Sequence, residues 1–105
     1  MAIPINTELL DGCVLAILSQ EDYYGYAITQ LVQQTIPISE STLYPVLRRL
    51  KKQGWLTTYD KPFQGRNRRY YQLTPNGLQR LSEIRSDWEL YKHQIDWLMK
   101  GNQDE

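Results

Sequence analysis

Between Ser39 and Gly54 two kinds of side chain recur at helical spacing. Wound at 100° per residue, Leu43, Val46, Leu47 and Leu50 fall within a sector of about 100°. Arg48, Ser41, Lys52 and Pro45 lie opposite, about 140° to 200° from Leu43, and Tyr44 and Arg49 stand on the flanks. Such a stretch buries one side in a core and turns basic and hydroxyl groups outward. That outer face has the chemistry to grip a polyanion. Guanidinium groups take phosphate or the acceptor edge of guanine, while an ammonium or a hydroxyl holds backbone oxygens. Further along, Arg66, Arg68 and Arg69 form a second basic group.

Other chemistry is poorly served. The chain has one His and one Cys, so no zinc set, disulfide or Ser-His-Asp arrangement can be assembled, and no Gly-rich phosphate loop is present. His93 reads as a surface side chain and Cys13, on an apolar helical face, as an inert buried thiol. We therefore expect no enzyme, no cofactor and no metal. MAIPINTELL lacks the basic start of a signal peptide, and the apolar run from Cys13 to Leu18 is too short for a bilayer. These features, with the lone thiol, predict a cytoplasmic protein with no membrane association.

The formal net charge is zero, but the charges are segregated. Residues 1 to 38 hold Glu8, Asp11, Glu21 and Asp22 and no Lys or Arg. Residues 39 to 71 hold Arg48, Arg49, Lys51, Lys52, Lys61, Arg66, Arg68 and Arg69 against Glu40 and Asp60 only. A basic block confined to the middle of a neutral chain suits either a solvated face or a polyanion-binding surface.

The elements that position these residues follow from periodicity. Leu9, Leu10, Cys13, Val14, Ile17 and Leu18 predict a helix from about Thr7 to Ser19, capped by Asn6 or Thr7. Its wide apolar sector predicts packing on its own domain and on a partner subunit. A second helix, about Tyr24 to Gln34, turns Ala27, Ile28, Leu31 and Val32 inward and ends before Pro37. Ser39 caps the basic third helix, which runs to about Gln53 and stops at Gly54. Trp55 to Tyr59 and Arg68 to Leu73 predict a hairpin, with residues 61 to 67 as a flexible tip too long for a tight primed turn. Thr74 and Pro75 open a last helix to about Lys100. On it Leu81, Ile84, Trp88, Tyr91, Ile95 and Leu98 are three and four residues apart, a heptad seam that needs a partner. The expected class is mainly α with a small β-hairpin (α+β).

Tyr24-Gly25-Tyr26, the run from Ser41 to Leu50, Gly54-Trp55-Leu56 and the run from Arg68 to Gly77 occur in an order and spacing that resemble the PadR family of bacterial transcriptional regulators, over about residues 9 to 99. With one helix after the hairpin, the chain resembles the short subgroup of that family. The resemblance implies a winged helix-turn-helix DNA-binding domain over 1–74, a dimerisation helix over 75–100 and a disordered tail over 101–105. It also implies a homodimer that represses transcription and is released by small aromatic or amphipathic ligands. The third helix becomes the recognition helix, with Ser41, Thr42, Tyr44, Arg48, Arg49 and Lys52 near the major groove of double-stranded DNA. Arg66, Arg68 and Arg69 approach the flanking backbone or minor groove, although Arg69 within a strand equally suits a pair with an acidic group.

Two-fold symmetry would match an inverted-repeat operator. The expected dimer interface is Leu9 and Cys13 with Leu81, Ile84, Trp88, Tyr91, Ile95 and Leu98. Trp88 admits two readings: an aromatic packed in the dimer core, or a platform for a flat ligand between the subunits, as in drug-sensing members of the subgroup. Those members carry a carboxylate one turn on, where this chain has Lys92, and Arg85 lies three residues before. A neutral or anionic aromatic effector fits that charge better than a cation. A winged-helix protein-interaction module, or a ligand sensor with weak DNA binding, remain the alternative functions.

Overall fold

The computed structural model describes residues 3–101. Its elements are α1 (Thr7–Gln20), β1 (Tyr23–Tyr24), α2 (Gly25–Gln33), α3 (Glu40–Lys52), β2 (Leu56–Phe63), β3 (Arg66–Leu73) and α4 (Pro75–Met99). The class is α+β, as expected. No helix is long and apolar enough to cross a membrane among these residues. The tail expected over 101–105 falls outside the described residues apart from Gly101.

Three helices begin at side-chain caps. Asn6 accepts from the Leu9 amide at 2.8 Å, Ser39 from Thr42 at 3.2 Å and Thr74 from Gly77 at 3.0 Å. α3 ends where Gly54 takes φ +82°, and the Trp55 and Gly54 amides reach back to the Leu50 and Lys51 carbonyls, the paired bonds of a Schellman close. These devices fix both ends of the basic helix.

The core is assembled from Leu10, Val14, Leu15 and Leu18 of α1, Ile28 and Val32 of α2, Leu43, Val46, Leu47 and Leu50 of α3, Leu56 of β2, and Leu81 and Ile84 of α4. All four inward residues expected of the third helix are buried. The core ends at Ile84. Beyond it α4 runs about 22 Å further at 1.5 Å per residue, which gives the molecule its long axis of 62 Å and a radius of gyration of 16.2 Å. A compact chain of this length would have about 13 Å.

Two features of the sheet differ from expectation. A third strand exists: β1 pairs antiparallel with β3, Tyr23 opposite Tyr71 and Tyr24 opposite Tyr70, giving the sheet order β1-β3-β2. The hairpin tip is not a long flexible loop. The ladder continues from Leu56 opposite Leu73 to Phe63 opposite Arg66, leaving only Gln64 and Gly65 in the turn. Both have positive φ, 52° and 78°, the conformation of a type I′ turn whose twist matches that of the strands. Pro62 is accommodated because β2 is an edge strand, where a missing amide costs no ladder bond on the open side.

The heptad seam divides. Leu81 and Ile84, expected between subunits, are buried in the chain's own core, since Gly12 lets α1 and α4 approach until an added Cβ would lie 2.7 Å from Ile84 Cγ2. Trp88, Tyr91 and Leu98 remain exposed and Ile95 half-buried.

Candidate nucleic-acid interface

α3 and the β2-β3 hairpin place the two basic groups on neighbouring elements, with Leu56 continuing the α3 core into the hairpin. Ser41, Thr42, Arg48 and Lys52 are exposed on α3. At its start Ser39 lies 3.0 Å from both Ser41 and Thr42 through their hydroxyls, a short polar cluster at the helix N-terminus. Tyr44 is half-buried and packs on Gly25, where an added Cβ would meet its ring at 3.0 Å. Burial, helped by the Glu40 carboxylate, pushes the Tyr44 phenol above its ordinary value.

Arg49 is placed differently from Arg48 and Lys52. Its Nη1 and Nη2 donate to the two carboxylate oxygens of Asp11 on α1, at 3.0 and 2.6 Å. This bidentate hydrogen bonding raises the Arg49 guanidinium above its ordinary value. Asp11 is buried. Sequence reasoning did not find it, because the pair spans 38 residues and has no local pattern.

On the hairpin Arg66 is exposed near the turn and Arg69 pairs across the ladder with Asp60 at 3.4 Å, both ends well exposed. The acidic partner considered for Arg69 is therefore present, though an exposed pair of this kind contributes only about 0 to 1 kcal/mol. Arg68 lies between two rings, its guanidinium carbon 3.5 Å from the Phe63 centroid and 4.0 Å from that of Tyr24. Phe63 is the diagonal neighbour of Arg68 across the ladder, two residues beyond its direct partner Lys61. Lys61 in turn stands 5.6 Å from the Tyr70 ring, which stacks on Tyr59. These platforms were missed as well; the alternation of aromatic and basic residues along both strands was their only local sign. Arg48, Lys51, Lys52, Lys61, Arg66 and Arg68 form no ion pair with a carboxylate of the described residues.

Trp88 borders clefts on several sides, two of which reach Arg85 and Lys92. One, of about 370 Å³, is walled by Leu9, Gly12, Cys13, Ile84 and Arg85. The other, of about 420 Å³, is walled by Pro4, Ile5, Leu9, Tyr91 and Lys92. Trp88 thus separates Arg85 from Lys92. The Lys92 ammonium is 5.8 Å from the Trp88 ring and 2.9 Å from Glu89, and it holds the Glu89 carboxyl below its ordinary value. Burial pushes the Cys13 thiol up. No group of three or more potential metal ligands occurs among the described residues.

This arrangement agrees with what is found among known proteins. A family model for the transcriptional regulator PadR-like family matches residues 14–83. A Streptococcus mutans protein of known crystal structure is 41% identical, with a TM-score of 0.89 over 100% of this chain and 99% of that one. A PadR-like transcriptional regulator of Bacillus cereus is 32% identical, with a TM-score of 0.81 over 89% and 93% of the two chains. Bacillus subtilis PadR, solved in complex with operator DNA, is 26% identical, with a TM-score of 0.66 over 71% of this chain and 45% of that one. With its basic helix, its hairpin and most of its core inside the matched region, the chain belongs to the PadR-like family of transcriptional regulators.

Proposed function

We propose that the protein is a DNA-binding repressor that acts as a homodimer and is released from its operator by a small aromatic molecule. The observation that carries this reading is the outward face of α3, where Ser41, Thr42, Arg48 and Lys52 are exposed opposite a fully buried apolar face. A relative of the same fold bound to operator DNA supports it. Contacts to base edges and phosphates are assigned to Ser41, Thr42, Tyr44, Arg48 and Lys52, and contacts to the flanking backbone to Arg66, Arg68 and Arg69.

Residues 1–74 form the DNA-binding unit and 75–100 the dimerisation helix. Trp88, Tyr91, Leu98 and Met99 expose an apolar strip where α4 has left the core, with Leu90 and Trp97 on the opposite face of the helix, and a partner helix covering that strip explains its composition. The partner of the dimer is a second copy, and an inverted repeat with half-sites about one turn apart, about 34 Å, is its symmetric target. A cytoplasmic location follows from acting on the chromosome. The effector occupies the Trp88 clefts; a neutral or acidic flat aromatic suits Arg85, whereas Lys92 is already engaged by Glu89.

A gel shift on the chain's own upstream region at two salt concentrations tests the reading. Binding weakens steeply as salt rises and is relieved by one class in a panel of planar cationic, neutral and anionic aromatics. Affinity independent of salt, or the same for every duplex, would reject it.

A further inference from the structure

The two carboxylates of α1 each hold an arginine from a different helix. Glu8 meets Arg80 of α4 at 2.9 Å, and Asp11 takes the fork of Arg49 of α3. Leu9 and Cys13, on the side of α1 opposite Asp11, help to wall a Trp88 cleft. α1 is therefore fastened to the basic helix on one side and borders the proposed effector site on the other.

Asp11 and Arg49 differ sharply in surroundings, their side chains being 5% and 39% exposed. Among the described residues Arg49 is the only side chain that donates to Asp11. Turning the guanidinium outward to a phosphate would strand a buried carboxylate, a far larger cost than one phosphate contact returns. The apolar contacts of Leu43, Val46, Leu47 and Leu50 are non-directional and permit α3 to roll or slide, whereas a two-pronged charged fork fixes distance and angle together.

We propose that Arg49, though it lies on the basic helix, does not contact DNA, and that with Asp11 it is a positioning pair that sets the pose of α3 on α1. The proposal rests on the DNA-binding reading above. Arg48 and Lys52 meet the nucleic acid; Arg49 decides where they stand.

Fluorescence anisotropy of the full chain decides it, with one duplex from its own upstream region and one scrambled duplex of equal length, between about 50 and 200 mM salt. Arg48→Gln lowers the steepness of the log affinity against log salt plot by about 1.8, the value of two lost phosphate contacts, one in each subunit of the dimer. Arg49→Lys and Arg49→Gln leave that slope at the wild-type value and weaken binding to the chain's own site about 10-fold, with scrambled-duplex affinity unchanged. Lysine is the sharper probe because it keeps the charge and loses the fork.

Wild-type affinity in Arg49→Lys, or a slope in Arg49→Gln that falls as in Arg48→Gln, overturns the proposal. If Arg49→Gln does not fold, Arg49→Lys decides alone. Asp11→Asn approaches from the other side: it weakens own-site binding only, whereas tighter binding to both duplexes marks a released phosphate-seeking Arg49 and overturns the pair. Variants that melt earlier yet keep the ratio of the two affinities show a pair that only stabilises the fold, which also overturns it. A wild-type chain that binds neither duplex removes the DNA-binding reading, and this proposal with it, before any variant is read.

Discussion

The carbonyl oxygen of Trp55 fills the space that a side chain on Gly77 would need, and the same oxygen accepts the Thr74 amide at 3.1 Å. The first turn of α4 is thus pressed against the chain as it leaves α3, which sets the direction in which α4 departs. Backbone cannot yield as a side-chain tip can, so Gly77→Ala lowers stability by about 3 kcal/mol or more, at the upper end for overpacking. Urea unfolding followed by circular dichroism reads this; an unchanged midpoint would contradict it.

The wing turn yields a prediction of opposite sign. Gln64 holds φ 52° without the tolerance that asparagine has for that region. Gln64→Asn raises stability by about 0.5 kcal/mol, and Gly65→Ala, at φ 78°, lowers it by about 1 to 2 kcal/mol. Thermal melts that order the three proteins otherwise would refute the turn assignment.

Those two positions also show where the sequence was legible. Ser39, Gly54, Thr74 and Pro75 marked the ends of α3 and the start of α4 because caps act within a few residues, and the inner face of α3 followed from its period. The hairpin was truncated because Pro62 and the Gln64-Gly65 pair, in place of Asn-Gly, read as loop; only the edge position of β2 makes Pro62 acceptable there. Two residues carry no periodicity, so β1 was invisible until β3 supplied its partner. The outward face of α3 was legible, while the Asp11 partner of Arg49 was not, since one helix pattern cannot report a contact made 38 residues away.

The divided seam separates assembly from folding. Leu98 is 65% exposed, and Leu81 is 1% exposed. Leu98→Glu yields a folded chain that sediments as a monomer at low micromolar concentration. Leu81→Ala lowers stability by about 2 to 5 kcal/mol through a core cavity. A dimer retained by Leu98→Glu would exclude the distal strip of α4 from the interface.

The ring platform at Arg68 has a consequence for binding that charge counting would not anticipate. Phe63→Ala removes no charge, yet it takes away the nearer of the two rings that hold the Arg68 guanidinium, 3.5 Å away, and leaves only Tyr24. Cation-π contacts contribute about 0.5 to 2 kcal/mol, and we expect operator affinity to fall a few-fold with the salt slope unchanged. Equal affinity in anisotropy titrations would show that Arg68 works without its platform.

Hydroxyl-radical footprinting of the upstream region with the wild-type chain addresses DNA reading by a two-fold pair of α3 helices most directly. The expected result is two protected patches on one face of the duplex, centred about 10 base pairs apart and related by an inverted repeat. Both patches fade together when Arg48 and Lys52 are changed to Gln. A single patch, uniform protection, or protection indifferent to those two residues would contradict it.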